Sequence, residues 1–138
     1  NVLVREAREL VEAQSPAAFQ LRELVDGDAS RLTGPIVTEA ARAGDPSAIE
    51  MLREIGDWLG TGLASLTAAF DPEVIIIGGG VSDADDLLLD PAREALRRKL
   101  TGRGFRPEPP VLKAELGPDA GFIGAADLAR LALDDGRL

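Results

Sequence analysis

The chain has 138 residues, 45% hydrophobic and 28% charged, a balance that suits one globular unit with a modest core. Its formal net charge of −9 and pI near 4.5 argue against a general nucleic-acid binder. It contains no cysteine and no histidine, which removes disulfides, thiolate and imidazole catalysis and any ordinary zinc site from this chain, and leaves only carboxylates as candidate general bases.

From Val2 to about Ala13 the spacing of Leu3, Ala7, Leu10 and Val11 predicts a helix with one apolar face. Ser15 and Pro16 open a second helix, with serine as N-cap and proline at the first helical position. Ala18, Leu21, Leu24 and Val25 continue its apolar stripe, and Gly27 ends it. Residues 28 to 32 carry no clear pattern. Gly34-Pro35 begins a short third helix that runs through Ala43 and closes at Gly44.

Asp45-Pro46 starts the longest element, which extends to about Phe70. Ile49, Leu52, Ile55, Leu59, Leu63, Leu66 and Phe70 step by three and four residues, one continuous face of a helix roughly 36 Å long. Gly56, Gly60 and Gly62 interrupt it at a cost of up to about 1 kcal/mol each, which points to close packing of another backbone there, with a ligand contact as the alternative. Trp58, on the same helix, is expected in the core or an interface.

Asp71-Pro72 stops the helix. Val74 to Ile77 is apolar at every position, the pattern of a strand covered on both faces in a parallel sheet. Gly78, Gly79 and Gly80 follow at its carboxyl end, where α/β sheets bind ligands and where glycine lets the backbone approach a ligand closely; a tight turn is the plainer alternative. The loop spells neither G-x-G-x-x-G nor a Walker A motif. Ser82 or Asp83 is expected to cap the next helix, which runs to about Leu100 with Pro91 as its start or a kink. Asp83, Asp85 and Asp86 read as favourable charge in a first helical turn rather than as a metal or base site. Arg97, Arg98, Lys99, Arg103 and Arg106 read as a solvated helix end.

Thr101 to Gly104 breaks that helix, and residues 106 to 110 form a proline-rich connector. Val111 to Leu116 alternates apolar and polar residues, predicting a strand with one exposed face. Gly117-Pro118 turns the chain into a last, alanine-rich helix from about Gly121 to Leu133. The sum is about six helices and two strands. Two strands do not make an independently stable sheet, so further strands are expected upstream, in keeping with a chain that begins at Asn1 and whose only methionine is Met51. No apolar run reaches the roughly 18–20 residues needed to cross a membrane and no secretory signal is present, so a cytoplasmic location is the default expectation.

Phe70-Asp-Pro-Glu-Val-Ile-Ile-Ile-Gly-Gly-Gly-Val-Ser82 resembles the adenosine-side motif of the ROK family (repressors, open reading frames, sugar kinases). Gly44-Asp-Pro-Ser-Ala48 with Gly56-Asp-Trp-Leu-Gly-Thr-Gly-Leu63 is similar to that family's preceding long helix, and Leu116-Gly-Pro-Asp-Ala-Gly-Phe-Ile-Gly-Ala-Ala-Asp-Leu128 to its closing segment. Pro91-Ala-Arg-Glu-Ala95 and Leu100-Thr-Gly-Arg-Gly-Phe-Arg-Pro107 look like the actinobacterial-type glucokinases of the family. The resemblance implies an α/β chain forming the C-terminal part of an actin-like, hexokinase-like (ribonuclease H-like) ATPase lobe, helix-rich with a partial sheet. Residues 1–70 would be its helical part, and residues 71–138 its strand, glycine loop and closing segments.

The resemblance further implies that Gly78, Gly79, Gly80 and Val81 hold the adenosine side of ATP. The phosphate-binding loop, catalytic aspartate, sugar-binding residues and a Cys-rich structural zinc motif would all lie upstream of this chain. The intact protein would use ATP with Mg²⁺ to phosphorylate glucose, while the isolated chain would be inactive. A homo-oligomer, with no membrane and no direct nucleic-acid contact from this chain, is the expected assembly. The alternative is the effector domain of a ROK transcriptional repressor.

Overall fold

A computed structural model describes residues 2–102, 105 and 107–134. Helix α1 spans Val2–Glu12 and buries Leu3, Ala7 and Val11. The Ser15-Pro16 start becomes a 3₁₀ turn over Pro16–Ala18, followed by helix α2 at Phe19–Leu24. The Ser15 hydroxyl makes no capping bond; its carbonyl instead accepts from the Ala18 amide at 3.1 Å. Leu24, expected on the apolar stripe, is exposed, while Leu21 and Val25 are fully buried. The unpatterned stretch after Gly27 is a second 3₁₀ turn, Ala29–Arg31, capped by the Asp28 carboxylate, which accepts from the Ser30 amide and hydroxyl at 3.0 and 2.6 Å.

Helix α3 covers Gly34–Arg42, and Gly44 turns the chain at φ +93°. Asp45 then caps helix α4, Pro46–Phe70, through its Oδ1, which accepts from the Ala48 amide at 2.9 Å. Its Oδ2 accepts from the Gln20 and Leu21 amides, both at 3.1 Å. A single buried carboxylate therefore satisfies amides at the starts of two helices and locks α2 against α4.

Along α4 the buried face differs from the expected one. Ala48, Met51, Leu52, Gly56, Gly60, Leu63, Ala64 and Thr67 are buried. Ile49, Leu66 and Phe70 face outward, the last at 76% exposure, and Trp58 is 72% exposed rather than in the core. The face turns because two of the glycines lie on it. A Cβ at Gly60 would stand 2.1 Å from the Ala92 carbonyl oxygen, and one at Gly56 2.6 Å from that of Leu88. Helix α5, Asp86–Lys99, thus packs backbone to backbone on α4, and the large side chains flanking the glycines rotate away from the seam. Gly62 lies off this contact in open space.

The αL conformation of Asp71 ends α4, and Pro72 follows. Strand β1, Ile75–Ile77, pairs in parallel with β2, Val111–Lys113, in the register Ile75↔Val111, Ile76↔Leu112 and Ile77↔Lys113. With α5 between them, the two strands form a βαβ unit. Ile75, Ile77, Val111, Leu63, Ala64, Leu89, Leu96 and Leu100 make one core under this pair. A second core joins α1, α2, α3, the first half of α4 and Leu88. The expectation for the first strand needs correction on coverage, whereas the second strand has one exposed face as expected. Strand β1 alternates instead of being buried throughout, with Ile76 at 63% exposure. On β2 and beyond it, Leu112 and Leu116 sit on the open side, while Val111 is buried. Only one face of the pair is packed by the described helices, so the apolar residues of the other face stand in solvent.

Pro91 lies inside α5 and does not start it. Arg93 pins the helix to β2: its Nε and Nη2 donate to the Val111 carbonyl at 3.1 and 2.9 Å, and its Nη1 pairs with Asp86 and Asp90. At the helix end Arg97 pairs with Glu108 and Arg98 with Asp57, whereas Arg103, Gly104 and Arg106 lie outside the described residues. A 3₁₀ turn at Gly117–Asp119 leads into α6, Ala120–Asp134, none of whose residues is buried.

Gly60→Ala should lower stability by about 1–3 kcal/mol through overpacking, while Gly62→Ala in the same helix should raise it by about 0.5–1 kcal/mol, read as opposite shifts of the urea midpoint. Asp45→Ala removes the acceptor of three amides and should cost about 2–4 kcal/mol in the same measurement.

Candidate functional site

The three glycines sit where β1 ends. Gly78 packs lightly, with a hypothetical Cβ 3.5 Å from that of Ala114. Gly79 has φ +91°, a backbone that side chains strain to adopt, and nothing stands within 4 Å of where a Cβ would be. Gly80 likewise faces open space. All three are exposed. Only Gly79 needs glycine for its backbone angle; at the other two, a side chain would project into room that a ligand can use. Val81 lies in the next turn.

The helix cap expected at Ser82 or Asp83 falls instead at Asp85. Gly80–Ala84 is a 3₁₀ turn, and α5 begins only after Asp85. Ser82 is buried and folds back on the glycines: its hydroxyl and amide donate to the Gly79 carbonyl at 2.6 and 3.0 Å. Asp85 occupies the N-cap position at φ 51°, ψ −129°, with no capping bond from its side chain. Its carboxylate points instead to two cations. Lys113 Nζ lies 2.7 Å from Oδ1, and Arg42 Nη2 lies 3.0 Å from Oδ2. Lys113 also reaches Asp83 Oδ1 at 3.3 Å, and Arg42 donates to the Asp83 carbonyl. Asp86, the third acid of the cluster, pairs with Arg93.

The Asp83–Asp85–Asp86 cluster is therefore an ion-paired junction rather than simple first-turn charge. The Lys113 hydrogen bond, followed by the charges of Lys113 and Arg42, holds the Asp85 carboxyl below the ordinary 3.8, and the same bond pushes the Lys113 ammonium above its ordinary 10.5. Arg42 and Lys113 escaped sequence reasoning because their partners are distant along the chain; no local spacing announces them.

A depression of about 400 Å³ opens beside the loop, lined by Pro35, Thr38, Arg42, Gly80, Asp83 and Lys113. It is polar on the charged side and apolar at Pro35, with glycine backbone at its edge. Exposed amides and an absent Cβ suit a planar or sugar group laid against the main chain. The acids of the cluster do not fit a divalent cation, since their oxygens serve Lys113, Arg42 and Arg93, and among the described residues no group of three acidic side chains is arranged to hold a metal. Without cysteine or histidine, zinc does not fit this chain either. Another depression, between α1 and α4, is lined by Glu6, Glu50 and Glu54 and shares no residue with the loop. Among the described residues no helix is long and apolar enough to cross a membrane.

Residues 15–132 match the ROK family. The chain is 45% identical over 130 residues to a glucokinase of Streptomyces coelicolor, covering 94% of this chain and 41% of that protein. It superposes at a TM-score of 0.84, with 48% identity, on a ROK family glucokinase from Streptomyces griseus solved with glucose and AMPPNP, covering 94% of this chain and 41% of that one. It is also 34% identical over 102 residues to the DNA-binding transcriptional dual regulator NagC of Escherichia coli, covering 74% of this chain and 25% of the regulator. The chain thus spans about two fifths of the length of the glucokinases it matches. Its fold is part of the actin-like, hexokinase-like fold of the sugar kinases, helix-rich with a two-stranded parallel sheet.

A carboxyl with a depressed folded-state pKa contributes stability above its unfolded value and loses that contribution as the pH falls through the folded one. The Asp85 contribution should therefore be present above about pH 4 and fade below it. An NMR titration of the Asp85 carboxyl carbon should find a midpoint below 3.8 that moves back up in Lys113→Ala.

Proposed function

Because this chain belongs to the ROK family, we propose that residues 1–138 are the C-terminal portion of the large lobe of an ATP-dependent glucokinase and hold the adenosine side of ATP. The observation that carries this reading is the exposed triple-glycine turn at the carboxyl end of β1, in a chain alike over nearly its whole length to a glucokinase solved with AMPPNP. Gly78, Gly79 and Gly80, with Val81 at the start of the next turn, are the nucleotide-binding residues. The glycine backbone lies against the sugar or base, and no Cβ holds it off. The two cations beside the loop, Arg42 and Lys113, are already paired with Asp85 and Asp83, so this end of the site offers phosphate no unpaired charge and the triphosphate points toward the remainder of the protein.

In the intact protein the 6-hydroxyl oxygen of glucose attacks the γ-phosphorus of ATP. The new P–O bond forms as the bond to the β–γ bridging oxygen breaks, ADP leaves, and an aspartate outside this chain takes the hydroxyl proton. Magnesium, when bound with ATP, neutralises charge on the transferring phosphoryl group. The residues of this chain bind and orient the nucleotide, and the α4–α5 pair holds their loop. The open apolar face of β1 and β2 and the unburied α6 are where the rest of the lobes packs. The intact protein works in the cytoplasm as a homo-oligomer, and any structural zinc belongs to its upstream part.

The likeness to NagC supports a second reading, the effector domain of a repressor whose DNA contacts lie elsewhere. The upstream sequence separates the two: an Asp-x-Gly-x-Thr loop near the initiator methionine belongs to the kinase, a basic helix-turn-helix to the repressor.

The full-length protein should release ADP from ATP and magnesium only when glucose is present, and this chain alone should release none above a no-protein control. Gly79→Ala strains the loop and should raise the KM for ATP about tenfold, with a far smaller change in the KM for glucose, measured by coupled assay. Equal loss for both substrates would assign the loop a merely structural role.

A further inference from the structure

Asp85 has a backbone conformation, φ 51° and ψ −129°, that a residue with a Cβ rarely adopts. Such a residue persists when its surroundings over-determine it. Here they do so from two sides. Arg42, at the end of α3, takes one carboxylate oxygen at 3.0 Å, and Lys113, at the end of β2, takes the other at 2.7 Å. Arg42 further holds the Asp83 carbonyl, and Lys113 the Asp83 carboxylate at 3.3 Å. From Asp85 a connected series of hydrogen bonds leads back to the glycines. The Asp85 amide donates to the Ser82 carbonyl at 3.0 Å, and the Ser82 hydroxyl donates to the Gly79 carbonyl at 2.6 Å. Forward, the Asp85 carbonyl accepts from the Leu88 and Leu89 amides at 3.1 and 2.9 Å, so the same residue starts α5.

We infer that Arg42 and Lys113 are positioning residues, which clamp Asp85 between α3 and β2 and thereby set the glycine loop in its nucleotide-receiving shape. The inference rests on the nucleotide reading given above. Isolated surface ion pairs of this exposure contribute little to stability. This pair differs in what it fixes: both oxygens of one strained residue are held, and that residue is hydrogen-bonded toward the turn at φ +91°. Its effect should fall on loop order and nucleotide affinity more than on global stability. The arrangement differs from a simpler role, in which unpaired cations meet the nucleotide themselves, in that Arg42 and Lys113 are already paired with Asp85 and Asp83.

The test uses the full-length protein and two measurements. The first is amide hydrogen exchange over residues 78–88 without nucleotide. Arg42→Gln, Lys113→Gln and Asp85→Ala should each speed exchange there and leave the α1–α3 core unchanged. The second is steady-state kinetics. Each variant should raise the KM for ATP about five- to tenfold, with kcat and the KM for glucose moving far less. Asp85→Gly should lie closer to wild type than Asp85→Ala, because glycine adopts the angle without a clamp. Arg42→Gln combined with Asp85→Ala should be no worse than Asp85→Ala alone. Unchanged exchange over residues 78–88 in all three single variants overturns the clamp, as does a normal KM for ATP in Asp85→Ala beside a raised one in Arg42→Gln, which would put Arg42 on the nucleotide directly. If exchange rises while the wild type binds no ATP or ADP, the clamp stands and the nucleotide reading fails.

Discussion

The close approach of α4 and α5 is the constraint on which the rest of the chain depends. Gly56 and Gly60 let the Leu88 and Ala92 carbonyls come within distances that no Cβ tolerates. That contact sets how closely the two helices lie against each other, while local caps end α4 and begin α5. Strand β1 leaves α4 a few residues after Phe70, β2 follows α5, and the two strands pair in parallel because their helices are already side by side. Leu63, Leu89, Leu96 and Val111 then fill the space between the helix pair and the strands. The helices of the first 45 residues brace the other end of α4, with Asp45 joining α2 to it through one carboxylate.

The glycine loop inherits its place from this frame and its shape from the residues after it. A strand end, a positive-φ glycine, a buried serine folded back on that glycine and an aspartate held by two cations make a loop whose backbone is fixed before any ligand arrives. Preorganisation of this kind spares a ligand the cost of ordering the segment that binds it. The same residues define what this surface offers: main chain beside the loop, acids paired with internal partners and, among the described residues, no group of three acidic side chains arranged to hold a metal ion.

Much of this was legible in the residues. Asp45-Pro46 and Asp71-Pro72 bracket α4 because capping and proline chemistry are local, and the glycine loop announces itself by composition. The closeness at Gly56 and Gly60 was readable from the cost of glycine inside a helix. What failed was long-range. The apolar stripe through Ile49, Leu66 and Phe70 is real as a pattern, yet the helix turned its glycine face inward because backbone approach to α5 outweighed burial of the flanking side chains. Val74 to Ile77 reads as buried on both faces, but the described chain covers only one of them. Trp58 carries no local signal for its exposure. The Arg42–Asp85–Lys113 junction joins three elements brought together by tertiary packing alone, and the Asp83–Asp86 run reads as helix charge until its partners are placed.

The most direct measurement is a crystal structure of the full-length protein containing this chain, grown with glucose and AMPPNP. The adenosine should lie against Gly78, Gly79 and Gly80, with its triphosphate directed away from Asp83 and Asp85. A nucleotide held wholly by residues outside this chain, with the glycine loop facing solvent, would contradict that assignment.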